Sequence, residues 1–272
     1  MSGCAFRCAP ASLYKDGSAK IIGRPFFCYQ DNAYLRHNIQ FAVMKRSFLF
    51  THILPLTFFL LALVACSGPT HTIKNMKEAL SRESGESLSY TLFAHKAQQE
   101  GLKNLETLFT AAAFSQQIHV DFYAHLLDGW DETDYAPEDV TVDKVASTLE
   151  NLNTLIMAQQ YEADSIFPRY IAMAAKEKAD SAVIAFTHAR QAKLKNVSYF
   201  RGVMKMLTSS MDAAHKAGGT APMMAVSIND NIPSFWSLCP VCGALYNDMA
   251  DNDTQCSVCH TPAAQFDHFP RY

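Results

Sequence analysis

The sequence predicts a mostly α protein, in which a four-helix bundle is followed by a small four-cysteine metal knuckle. Between residues 72 and 217 proline occurs only at Pro137 and Pro168, and glycine is sparse, so long helices can run uninterrupted. Four stretches in that span repeat apolar residues at three-and-four spacing. The chain then ends in two C-x2-C pairs, Cys239-Pro-Val-Cys242 and Cys256-Ser-Val-Cys259.

The four helices are expected at 72–99, 102–128, 143–177 and 180–216. Gly101 divides the first pair, residues 129–137 form a long crossover, and Gly218-Gly219 ends the last helix. The first inward stripe is Met76, Leu80, Glu83, Tyr90 and Ala94; the second is Leu105, Phe109, Ala112, Gln116, His119, Tyr123 and Leu126. On the third it runs Val145, Leu149, Leu152, Leu155, Gln159, Glu162, Ile166, and on the fourth Ala182, Phe186, Ala189, Lys193, Asn196, Phe200, Val203, Leu207.

Each stripe is apolar at its ends and polar near its middle. Polar groups inside a bundle cost several kcal/mol unless partnered, so four interruptions at one height predict a buried polar site. The stretch 218–235 reads as a linker leading to Trp236, and 236–272 as the metal domain.

The two C-x2-C pairs are separated by thirteen residues and put four thiolates on two tight turns, as tetrahedral iron or zinc requires. Two disulfides are the alternative in an oxidising compartment. Iron in such a sulfur cage passes one electron, whereas zinc has no redox chemistry.

At the other end, Met44 begins a basic pair and an apolar run that closes on Leu63-Val64-Ala65-Cys66. Residues 44–65 read as a secretion signal whose last residues resemble a bacterial lipobox, with Cys66 the lipidated first residue of the mature chain and 66–71 its tether. A plain membrane anchor is the alternative. Either way the remainder is expected outside the cytoplasm, in the bacterial envelope. Residues 1–43 show no helical or strand period and read as an over-extended gene start. The formal net charge of −3 gives no basic excess for nucleic acid.

With bundle and knuckle in this order, and with Trp236, Gly243 and Phe266 around the cysteines, residues 72–272 resemble rubrerythrin, a ferritin-like bundle joined to a rubredoxin-like domain. In that family helix one carries a glutamate and, seven residues on, a tyrosine, here Glu83 and Tyr90. Helix two carries E-x-x-H, here Gln116 to His119; helix three carries E-x-x-E, here Gln159 to Glu162, then Ile166-Phe167-Pro168. Helix four carries a second E-x-x-H, here Lys193 to Asn196.

The resemblance implies a homodimer that reduces hydrogen peroxide at a di-iron centre with electrons passed through the rubredoxin-like iron. Of its seven ligand positions, Glu83, His119 and Glu162 survive, while Gln116, Gln159, Lys193 and Asn196 are substituted. Two carboxylates and one ammonium leave too little negative charge for two divalent irons. The expectation is therefore one iron, or zinc, at the cysteines, no di-iron centre, and peroxidase chemistry absent or weak. Lys193 is expected to replace the metal by pairing with Glu83 and Glu162, with the amides of Gln116, Gln159 and Asn196 completing the network. The alternatives are a working peroxidase, a single bundle ion held by Glu83, His119 and Glu162, and a zinc-holding binding module. The electron donor is not specified by the sequence.

Overall fold

The computed structural model describes residues 68–135, 144–247 and 254–270. The expected signal segment and Cys66 lie outside the described residues.

Helix α1, Thr70–Gln99, packs along α2, Lys103–Gly129. Gly101 makes the turn between them, at a φ of +74° that favours a residue without Cβ. The free amides at the start of α1 are met by a distant residue: the Glu177 carboxylate accepts from the Thr72 amide at 2.8 Å and from its hydroxyl at 2.7 Å.

The third helix of the bundle begins at Thr148, five residues later than the 143 expected, because Ser147 and Glu150 form a capping box. Val145, placed on the inward stripe by periodicity, lies before that cap and is exposed. This helix is also not one α-helix. α3, Thr148–Tyr161, passes through a π-helical turn at Glu162–Ile166 into α4, Phe167–Lys176. The wider turn changes the phase of the inward stripe, so that both Glu162 and Ala163 are buried, followed by Ile166, Phe167 and Tyr170.

α5, Asp180–Lys216, is the fourth helix. The stretch expected as a linker contains a further helix, α6, Ala221–Asn231. Side-chain to backbone bonds hold it to the bundle: Asn104 Nδ2 donates to the carbonyls of Asn229 at 2.7 Å and Ile232 at 2.9 Å, and Asn229 Nδ2 donates to Gly101 at 2.9 Å. Periodicity could not reveal it, because its short sequence lacks a strong apolar stripe.

The terminal domain is a three-stranded antiparallel sheet, β1 Trp236–Leu238 flanked by β2 Leu245–Asn247 and β3 Asp267–Phe269. Trp236, Leu238, Leu245 and Phe269 join Phe93, Leu105, Phe109 and Phe200 in one apolar cluster, so knuckle and bundle share a core. A second cluster around Met76, Leu80, Tyr123, Phe167 and Phe186 fills the far end. Each large apolar side chain buried in these clusters contributes about 1.5–3 kcal/mol. Among the described residues no helix is long and apolar enough to cross a membrane.

Candidate functional site

The two cysteine turns are built alike. The amides of Gly243 and His260 donate to the carbonyls of Cys239 at 3.0 Å and Cys256 at 2.9 Å, and the amides of Cys239 and Cys256 donate to Ala244 at 2.9 Å and Thr261 at 2.7 Å. Each turn ends on a residue of positive φ, Gly243 at +72° and His260 at +61°. These repeated bonds aim all four thiols at one point.

Cys239, Cys242, Cys256 and Cys259 are free thiols, with their sulfurs within 4.8 Å of one another. The closest pairs, Cys239 with Cys259 and Cys242 with Cys256, stand 3.4 Å apart. A disulfide needs about 2.05 Å. Four sulfurs each about 2.3 Å from a tetrahedral ion stand about 3.8 Å apart, so the cage fits a four-coordinate metal with small adjustments. Among the described residues it is the one cluster of histidine, cysteine and carboxylate ligands suited to an ion.

The polar interruptions of the bundle lie between its two apolar clusters. Glu83, Gln116, His119, Gln159, Glu162, Lys193 and Asn196 are all buried there. Lys193 is wholly buried, which fixes the inward register of α5 and excludes a solvated lysine. Its Nζ stands 2.8 Å from Glu162 Oε2, 2.9 Å from Glu86 Oε2 and 3.5 Å from Glu83 Oε2, and it donates to Gln116 Oε1 at 2.7 Å. The ammonium thus sits among three carboxylates and an amide.

Two members of this cluster are not in the motifs read from the sequence. Glu86 lies one turn beyond Glu83 on the same face of α1; its i+3 spacing from Glu83 was the available signal. Arg82, at the edge of the cluster, brings its Nε 3.2 Å from Glu162 Oε1 and bonds Glu78 at 3.0 Å. Burial raises the affinity of all three carboxyls for protons, and the local charges then divide them. Burial outweighs Lys193 at Glu86, whose pKa is pushed up to about 8, with Glu162 and Glu83 adding repulsion. Glu162 is raised for the same leading reason. At Glu83 the charges of His119 and Lys193 overcome burial and hold the carboxyl below its ordinary range. A proton on Glu86 removes one of the three negative charges competing for Lys193, which a low-dielectric interior favours.

His119 links this cluster to the knuckle. Its Nδ1 lies 2.6 Å from Glu83 Oε2, and its Nε2 donates to the carbonyl of Cys242 at 2.9 Å. Both ring nitrogens are therefore engaged, one by a carboxylate of the bundle and one by the backbone of the knuckle. Tyr123 donates weakly to Glu83 Oε1 at 3.4 Å.

The expected amide network around Lys193 forms only in part. Gln116 joins it through Oε1, while neither amide atom of Gln159 has a hydrogen-bond partner among the described residues. Asn196 turns away to the knuckle, accepting from the Leu245 amide at 2.8 Å and donating to the Gly243 carbonyl and to Ser115 Oγ, each at 3.2 Å. Ser115 Oγ also donates to the Gly243 carbonyl at 2.6 Å. A Cβ on Gly243 would stand 2.7 Å from His119 Nε2 and 2.9 Å from the Ser115 carbonyl oxygen, so only glycine permits this approach. Buried polar residues of the bundle therefore hold the first cysteine turn in place.

Residues 74–192 match the rubrerythrin family model. The chain is 24% identical over 195 residues to nigerythrin of Nitratidesulfovibrio vulgaris, covering 72% of this chain and 85% of that protein. It is 22% identical over 197 residues to rubrerythrin-2 of Clostridium acetobutylicum, covering 71% and 94%. Among solved structures, nigerythrin in its fully reduced, all-ferrous state superposes with a TM-score of 0.60 at 24% identity, over 75% of this chain and 88% of that one. Its mixed-valence state gives 0.59.

Proposed function

We propose that this chain, which carries a rubrerythrin-family domain over residues 74–192, is an iron protein that handles single electrons at its knuckle and has given up the family's di-iron centre. The observation that carries the reading is Lys193 Nζ within 3.5 Å of Glu83, Glu86 and Glu162. A buried ammonium there occupies the space and neutralises the charge that two divalent cations would need.

Cys239, Cys242, Cys256 and Cys259 would hold the ion. Iron in such a cage supplies reversible one-electron transfer without a proton or a bond change. The chain's own groups do the rest: the repeated turns fix the sulfurs, Ser115, His119 and Asn196 fix the first turn, and the apolar cluster of Ala192, Tyr246 and Phe266 buries Cys239, Cys242 and Cys256. Iron rather than zinc is favoured by the family and by the all-ferrous state of the nigerythrin structure. The lipobox-like Leu63-Val64-Ala65-Cys66 supports placement in the bacterial envelope on a lipid anchor.

Iron and zinc counted per purified chain test this reading. One iron with a thiolate-to-iron absorption band supports it, and that band should vanish in Cys239→Ala and Cys256→Ala. Three irons with peroxide turnover would instead establish a di-iron peroxidase, and one zinc without iron a redox-silent binding module. For the anchor, labelled palmitate should enter the wild-type chain and not Cys66→Ala, which should leave the membrane fraction; labelling that survives the substitution refutes lipidation.

A further inference from the structure

Tyr246 is almost wholly buried beside the cage. Its hydroxyl oxygen accepts from the Ser257 amide at 2.7 Å and lies 3.2 Å from Cys256 Sγ. A metal-bound thiolate has no proton to give, so the phenol must be the donor in that contact. Ser257 Oγ, also at 3.2 Å, is the other group within reach of the hydroxyl.

The ring is held on both faces of the domain boundary. Phe266 of the knuckle packs against it at 5.0 Å between centroids, and the Nζ of Lys195 stands 4.0 Å from its centroid. Lys195 belongs to α5 of the bundle, where its ammonium also donates to Tyr199 Oη at 2.9 Å. In the run Lys193-Leu194-Lys195-Asn196, then, one lysine enters the carboxylate cluster while the next lies over a knuckle tyrosine that touches a metal ligand.

We infer that Tyr246 and Lys195 together set the reduction potential of the knuckle, Tyr246 by a hydrogen bond to Cys256 Sγ and Lys195 by placing a cation over the face of the Tyr246 ring. This rests on the iron reading above. A cage of four thiolates has net charge −1 with ferric and −2 with ferrous iron, so a donor and a cation beside a sulfur favour the reduced form and raise the potential. An aromatic face also concentrates the attraction of an ammonium. The bundle would thereby tune the knuckle it carries, and Tyr246 and Lys195 are positioning residues, since neither binds the metal.

The test is a redox titration of the iron-loaded full chain, followed by its thiolate-to-iron band, in wild type, Tyr246→Phe and Lys195→Met. Phenylalanine keeps the ring, its stacking and its cation while removing the hydroxyl. At fixed potential, Tyr246→Phe should lower the ratio of reduced to oxidised protein about tenfold, a shift of about 59 mV for a one-electron couple. Lys195→Met should shift it in the same direction by less. Loss of packing alone moves melting temperature without moving the potential. A potential that stays in place or rises in Tyr246→Phe overturns the inference. Should that variant lose its metal, Lys195→Met decides, an unchanged potential overturning the inference. If the chain takes zinc and refuses iron, the iron reading fails separately. The hydrogen bond is then read from cobalt-substituted protein, whose thiolate-to-cobalt band must move to longer wavelength in Tyr246→Phe; a fixed band overturns the inference there too.

Discussion

Lys193 Nζ donates to Glu86 Oε2 at 2.9 Å, a buried hydrogen bond that joins α5 to α1 across 107 residues. Glu86 is nevertheless the carboxyl whose proton affinity burial raises most plainly, because Glu83 and Glu162 compete for the same ammonium.

Stability should depend on pH through Glu86. Its folded pKa of about 8 lies above its ordinary 4.5, so between those values the folded state holds a proton that the unfolded chain releases. Glu86 therefore lowers stability as pH rises through that window. Denaturant unfolding at pH 5.5 and 8 should show a loss in wild type that Glu86→Gln reduces. An identical pH slope in the two proteins would contradict a protonated Glu86.

Lys193→Met should be among the most damaging single changes in the bundle. It removes the buried ammonium between Glu83 and Glu162, leaving them only Arg82 and His119 at the edges, and breaking one side of a buried pair typically costs about 3–5 kcal/mol. Adding Glu86→Gln and Glu162→Gln should recover much of that loss, since the uncompensated charge is removed with them. Equilibrium unfolding in urea measures both, and a single variant as stable as wild type would show that the cluster is not charged.

The first cysteine turn should depend on Gly243. Gly243→Ala places a Cβ against His119 and Ser115 and holds a non-glycine residue at positive φ, a conformation costing about 1–3 kcal/mol even without the clash. Amide exchange at Leu245, whose N–H is held by Asn196, should speed up while exchange in the second turn around His260 stays slow. Equal protection in variant and wild type would mean that the bundle does not hold the turn.

Reversal of the ligand substitutions should restore metal binding. Gln116→Glu, Gln159→Glu, Lys193→Glu and Asn196→His together create the ligand set that the rubrerythrin resemblance implies, and under the proposed reading should bind two further irons per chain with a gain in peroxide turnover, neither of which the native protein should show. Asn196→His by itself should loosen the knuckle, because the side chain it replaces bonds both Gly243 and Leu245. Native protein already holding two bundle irons would refute the loss of the centre.

Local signals in the sequence determined the kind of elements and the chemistry they carry. A three-and-four apolar spacing specifies the buried face of a helix whatever it packs against, and two C-x2-C turns specify a four-sulfur cage by their length alone. Lys193, Glu83, Glu162 and His119 could be assigned to the interior on that basis. Partners could not. Periodicity records which face is buried and not what lies opposite, so the entry of Glu86 and Arg82 into the charge cluster was settled only when α1 met α5 and the π-helical turn. The same limit hid α6, which is held by asparagine bonds to distant backbone, and the turning of Asn196 and Lys195 toward the knuckle. Those contacts join residues far apart in sequence, and only the tertiary packing of bundle against knuckle brings their donors and acceptors within reach.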